Sequence, residues 1–199
     1  IAWLDSCRER GVGVYGQGVT TASAFTFTFE DWNLFDDDPQ WLDATLGTIE
    51  ERKRKLADPA RRPALRAYES GIVTVGIPDI KIIECFSAET RQFENLTIGE
   101  AAARTGKHPV DVMLDVAVTH DLRTVFYAEP ANVSREAMRD IVSHPWILPG
   151  VSDGGAHTKF FTGGRYPTEF LSRIVREEEM CSLEHAHWRV LGPPPHCAG

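Results

Sequence analysis

The residues best suited to chemistry in this chain lie in one stretch, Ile147 to Arg165, where Ile-Leu-Pro-Gly-Val-Ser-Asp-Gly-Gly-Ala-His runs on to Gly-Gly-Arg. A short apolar run leads to Asp153, and Gly154 and Gly155 then supply the φ > 0 freedom that a corner between strand and loop needs. A carboxylate at a strand terminus can hold a metal ion or a proton in transit, because loops at the carboxyl ends of parallel strands are where such folds gather their chemistry. The same spacing also suits an Asp that only hydrogen-bonds its own turn, since Asp-Gly is a common turn dipeptide. Arg165 follows a second Gly-Gly pair and carries the planar fork that grips a carboxylate in bidentate fashion. A surface arginine is the other reading. Lys159 adds charge with no motif behind it.

Val-Ser-Asp-Gly-Gly-Ala-His at 151–157, followed by Gly-Gly-Arg-Tyr-Pro-Thr at 163–168, resembles the last-strand signature of the amidohydrolase superfamily. Within it the stretch looks most like the D-aminoacylase branch, the N-acyl-D-amino-acid deacylases. A looser likeness runs through Leu96 to Val116 and through Ser143-His-Pro-Trp146, so the resemblance covers most of residues 90–190, with Ser-Asp-Gly-x-x-His as its specific core.

The resemblance implies a zinc-dependent hydrolase acting on small acylated D-amino acids. Zinc would polarise the amide carbonyl and lower the pKa of its bound water. Asp153, matching the family's last-strand aspartate, would be a metal ligand and the general base that takes the water's proton and passes it to the leaving amine. His157 matches a histidine that hydrogen-bonds substrate or metal-bound water, with a structural turn histidine as the alternative. Arg165 corresponds loosely to an arginine that holds the substrate's free α-carboxylate. The family's other metal ligands, a His-x-His pair on the opening strand and histidines on the middle strands, match nothing in this chain. His185-Ala-His187 is a literal His-x-His, but its surroundings read as a capped helix, on which positions i and i+2 point roughly 200° apart. Two other readings stay open: a cyclic-amide hydrolase, for which Arg165 would be dispensable, or a non-catalytic truncated chain.

The elements that must position these groups read as α/β. Residues 1–9 form a helix stopped by Gly11, and Val12–Val19 reads as a buried strand with Gln17 near its end, lining a pocket or serving the turn. Ala24-Phe-Thr-Phe-Thr-Phe29 alternates with period two, which turns the phenylalanines to one face. Asp36-Asp-Asp-Pro39 lacks calcium-loop spacing and reads as an exposed loop before a helix. Further helices are expected from Thr48, from the capping box Thr97-Ile-Gly-Glu100, from Pro109 and from Ser134. Strands are expected at Ile72–Val75, Ile80–Phe86, Val125–Ala128 and just before Asp153. The last two, joined through the Ser134 helix, predict a right-handed parallel crossover. With about 250 residues needed for a closed barrel, the resemblance gives the fold as an incomplete C-terminal part of a (β/α)8 TIM-like barrel. It would form one partial barrel domain over 1–199, with a lid-like insertion at about 24–90. Such a chain is expected to be active only as part of a full-length enzyme, and a start at Ile1 without Met reads as a piece of something longer.

Composition narrows the partners. A net charge of −8 over 199 residues argues against nucleic acid, whose binding rests on clustered Lys and Arg. The one basic run, Arg52-Lys-Arg-Lys55, follows Glu50 and Glu51 and reads as a solvated helix face. No apolar run approaches the roughly 18 residues of a membrane span. Cys7, Cys85, Cys181 and Cys197 show no C-x-x-C spacing and read as reduced thiols of a cytoplasmic protein.

Overall fold

A computed structural model describes residues 1–21, 24–31, 33–68, 75–128, 134–150, 152 and 164–191. Asp153, His157, Lys159, Cys197 and most of the strand expected at 72–75 lie outside the described residues. In chain order the elements are α1 (Ala2–Glu9), β1 (Gly16–Gly18), β2 (Phe25–Phe27), α2 (Pro39–Thr45), α3 (Ile49–Ala57), α4 (Arg62–Arg66), β3 (Lys81–Glu84), α5 (Ile98–Thr105) and α6 (Pro109–Val118). They continue with β4 (Val125–Ala128), α7 (Arg135–Ser143), β5 (Ile147–Pro149), α8 (Tyr166–Glu169), a π-helical run (Phe170–Glu177) and α9 (Leu183–Leu191). The architecture is mixed α/β. Among the described residues no barrel closes: β1 and β5 make a two-stranded sheet, and β2, β4 and β3 a three-stranded one. No described helix is long and apolar enough to cross a membrane.

The chain divides into two compact units, one of Ile1–Ser23 with Asn132–Gly199, the other of Ala24–Ala131. The insertion was expected over about 24–90, whereas the second unit runs on to Ala131. In that unit the period-two phenylalanines do turn inward: Phe27 and Phe29 are buried, with Phe35, Trp41 and Phe126 around them. Phe27 stacks on Phe126 at 5.3 Å between ring centroids, a cross-strand aromatic pair that fixes the β2–β4 register. This overturns the parallel crossover expected of Val125–Ala128. β4 runs antiparallel to both β2 and β3, because its inward residues Phe126 and Ala128 belong to the phenylalanine core rather than to a sheet with β5.

Helix ends in this unit follow their cap residues. Thr48 and Thr97 each form a full capping box, with Glu51 and Glu100 reaching back, and Asp38 accepts from the backbone N–H groups of Gln40 and Trp41 to start α2. Gly106 closes α5 at φ 67°. Arg52, expected on a solvated face, instead donates through Nη1 to the carbonyls of Phe29 (2.7 Å) and Glu30 (2.6 Å), pinning α3 under the end of β2.

α4 is clamped to α6 by charge. Arg62, buried, donates from Nη2 to Asp115 at 2.9 Å and from Nη1 to Asp111 at 3.3 Å, while Arg66 grips the same Asp111 carboxylate. Burial works to raise the Asp111 pKa, but the hydrogen bond and charge of Arg66, joined by Arg62, outweigh it and hold the carboxyl below its ordinary value. A lowered folded-state pKa means that the clamp's stabilisation is fully present above the unfolded carboxylate value, about 4, and is lost as pH falls through the folded value. Asp111→Asn is therefore expected to destabilise the chain by about 1–2 kcal/mol at neutral pH. Urea titrations at pH 7 and pH 3 check this: the gap between variant and unmodified chain should shrink toward acid.

Candidate functional site

The stretch that carries the Ser-Asp-Gly signature leaves the end of β5, and β5 is held by β1. The two strands run parallel with Gly16, Gln17 and Gly18 opposite Ile147, Leu148 and Pro149. The backbone N–H of Gly16 donates to Trp146 (2.8 Å) and that of Gly150 to Gly18 (2.6 Å). α7 directly precedes β5, so β1, α7 and β5 form a βαβ unit interrupted after β1 by the Ala24–Ala131 unit. The glycines of β1 are required by the layer above them. A β-carbon on Gly16 would lie 2.9 Å from Leu4 of α1, and one on Gly18 would land on Ile141 of α7.

α1 and α7 cover one face of the pair, and the alternate residues show on the other. Gln17 and Val19 are exposed there, and Val12 and Tyr15 are exposed ahead of them, so the buried strand expected over Val12–Val19 shrinks to three residues with one covered face. At the amino end, the Arg8 guanidinium lies 3.5 Å over the Trp146 ring, and Tyr15 meets that ring edge-on at 5.6 Å. His144 accepts the Trp146 N–H at Nδ1 (3.2 Å), which puts its proton on Nε2, 2.9 Å from the Asp5 carboxylate. With Nε2 fastening the end of α7 to α1 and Nδ1 holding the Trp146 backbone, His144 is a structural residue.

At the carboxyl end two contacts fix where the signature stretch starts and finishes. Gln17 donates from Nε2 to the Gly150 carbonyl at 3.0 Å. Gly150 takes φ 93°, and the ring of Tyr166 lies where a β-carbon on it would project. The chain therefore leaves β5 at Gly150 and returns to the same spot at Tyr166. Asp153 follows three residues past Gly150 in sequence. Ser152 is exposed. The sequence reading weighed Gln17 but missed Tyr166, for which an aromatic directly after Gly-Gly-Arg was the available signal.

Arg165 stands beside this junction, at the start of α8. Its Nε is 3.0 Å from Glu169, whose other oxygen takes Nη1 of Arg173 at 3.1 Å. Arg173 goes on to Glu178 at 2.9 Å, and Glu178 to Arg135 of α7 at 3.4 Å. The π-helical run beneath, marked by Glu178 N–H bonding Arg173 carbonyl, buries Phe170 and Ile174 against Met138 and Val142 of α7 and Ala186 of α9. Leu171 of the same run is 40% exposed.

No group of three His, Cys, Asp or Glu side chains able to hold a metal occurs among the described residues. His185 and His187 lie on α9, whose first turn is capped by Ser182, as their helical surroundings indicate. Cys7 and Cys85 are buried free thiols, Cys181 a partly exposed one.

Replacing Gly150 with alanine is expected to cost about 2 kcal/mol or more, combining a disfavoured positive φ with a clash on Tyr166. Thermal melts of Gly150→Ala, Tyr166→Ala and the double variant check this. The double variant should recover the steric part and keep the backbone part, giving a favourable coupling between the two sites.

No family model and no curated protein matches the chain. Among solved structures, it is similar to an N-acyl-D-glutamate deacylase from Bordetella bronchiseptica, determined with zinc and a phosphonate inhibitor that mimics the tetrahedral intermediate. The similarity has a TM-score of 0.47 at 18% identity. The match takes in 98% of this chain and 31% of that one, so the chain spans about a third of its length.

Proposed function

We propose that this chain is part of a hydrolase of the amidohydrolase type that cleaves the amide bond of N-acyl-D-amino acids. It would form the C-terminal part of a (β/α)8 barrel, interrupted by an insertion. The observation that carries this reading is positional: the Ser-Asp-Gly-x-x-His signature follows directly on the carboxyl end of β5, a strand in parallel pairing with β1. Asp153 would take a proton from the attacking water and deliver it to the departing amine. His157 would hydrogen-bond the substrate, and Arg165 would hold its free carboxylate.

Zinc, which the resemblance implies, would supply a Lewis acid for the amide carbonyl. The described residues do not fit it, since they bring no three ligating side chains together. The ligands other than Asp153 would come from elsewhere in the enzyme, and the chain alone is expected to be inactive.

One observation favours a second reading. Arg165 is already ion-paired to Glu169 at 3.0 Å, which suits a substrate without a carboxylate, such as a cyclic amide.

The whole protein carrying this chain should hydrolyse N-acetyl-D-amino acids, and Asp153→Asn should cut kcat by roughly 10²–10⁴-fold. A variant that turns over at the unmodified rate sinks the proton-transfer role. Arg165→Ala should raise KM for N-acetyl-D-amino acids by about tenfold or more with kcat held. An unmoved KM together with turnover of a cyclic amide would favour the second reading.

A further inference from the structure

The π-helical run Phe170–Glu177 is wound one residue wider than an α-helix, and such winding is seldom kept beyond a single turn. The Glu178 N–H bonds the carbonyl five residues back, Arg173 at 2.8 Å. The Met180 N–H reaches six residues back to Ile174 at 2.9 Å, where the left-handed closure of an α-helix spans five, and Glu179 makes the turn at φ 50°. Side chains keep the same count. Arg173 pairs with Glu178 at 2.9 Å, a spacing of five, while its pair with Glu169 at 3.1 Å has the ordinary spacing of four.

In an α-helix the partner of Arg173 would instead be Glu177, four residues on, and Glu177 is exposed. The Glu177-Glu178-Glu179 run thus offers Arg173 a carboxylate in either winding, so this ion pair gives no reason for the rarer one. What tells the two apart is Arg135, the first residue of α7. It donates from Nη2 to the Glu178 carbonyl at 3.0 Å and sets Nε 3.4 Å from the Glu178 carboxylate. Phe170 and Ile174 hold the middle of the run in the core with Met138 and Val142 of the same α7, so the tie at Glu178 falls one residue further along than α winding would bring it.

We propose that Phe170–Glu177 is a two-register switch, latched in the wide winding by Arg135 on Glu178, and that release of the latch tightens it to an α-helix with Arg173 on Glu177. Each π turn undone rotates the two ends of the helix against each other by about 100°. The far end seats Tyr166 on Gly150, and Glu169 joins Arg173 to Arg165 next to that seat, so the winding is linked to the point where the signature stretch returns to β5. This switch goes beyond the hydrolase reading and does not depend on it.

The test is the crystal structure of the whole protein carrying this chain, unmodified and as the variants Arg135→Ala and Arg135→Glu, the second setting a like charge against Glu178. The unmodified protein is expected to keep the Glu178 N–H on the Arg173 carbonyl. Both variants are expected to move it to the Ile174 carbonyl, with Arg173 paired to Glu177. The Arg135 side chain is 62% exposed, so both variants are expected to melt within about 3 °C of the unmodified protein. Wide winding kept in either variant overturns the latch. An α-helix in the unmodified protein, a run that unravels in the variants instead of tightening, or a larger fall in melting temperature overturns the switch itself.

Discussion

The pairing of β1 with β5 is the constraint on which the first unit depends. It joins segments that lie on either side of the whole Ala24–Ala131 unit, with Gln17 and Gly150 separated by 133 positions yet hydrogen-bonded. Closing so long a loop is unfavourable, though the cost grows only logarithmically with length. What holds the pair once formed is packing from above. Leu4 of α1 and Ile141 of α7 press on a strand made of Gly-Gln-Gly, and a side chain at either glycine would lift a helix off the sheet. The glycines let both helices approach the strand closely, and the signature stretch follows the end of its neighbour.

The other edge of β5 is closed by an arginine. Register and ladder bonds turn the backbone groups of Leu148 and Gly150 toward β1, and those of Ile147 and Pro149 away from it. On that outer edge Pro149 has no N–H to offer, the Ile147 N–H bonds His144 at 3.3 Å, and the Ile147 carbonyl accepts from the fully buried Arg189 of α9. Arg189 also reaches the Pro145 carbonyl at 3.4 Å, and burial lowers its pKa. Blunting an edge with a proline and a covering helix is how sheets avoid unwanted pairing. Growth of the sheet toward a barrel across this edge would require α9 to surrender that carbonyl. The alternative is growth from β1, whose Gln17 backbone faces away from β5.

Local signals in the sequence translated directly into structure. Thr48, Thr97, Ser134 and Gly106 mark helix ends through bonds spanning three or four residues, and these do not depend on tertiary context. The inward turn of Phe27 and Phe29 likewise follows from strand period alone. What pairs with what was not legible. Val125–Ala128 reads as a buried strand wherever it sits, and only the stacking of Phe126 on Phe27 commits it to the antiparallel sheet. Val12–Val19 reads as a buried strand, yet burial depends on which face the helices cover, and they cover the glycine side. Near the candidate site, the apolar run made a strand ahead of Asp153 legible, though β5 ends at Pro149. The fit of Tyr166 to Gly150 arises from a contact across the chain, for which a single sequence carries no mark.

The ion pairs of Arg165 bear on what that residue can do. Glu169 is shared between Arg165 and Arg173, and its side chain is only 14% exposed, so its charge is held in place from two sides. The nearby negative charge of Glu169 weakens the pull of Arg165 on any second anion. The second guanidinium offsets part of that repulsion, because Arg173 draws on the same carboxylate. With its side chain 64% exposed, Arg165 makes this pair at the surface, where solvent screens the attraction and the guanidinium keeps rotamer freedom.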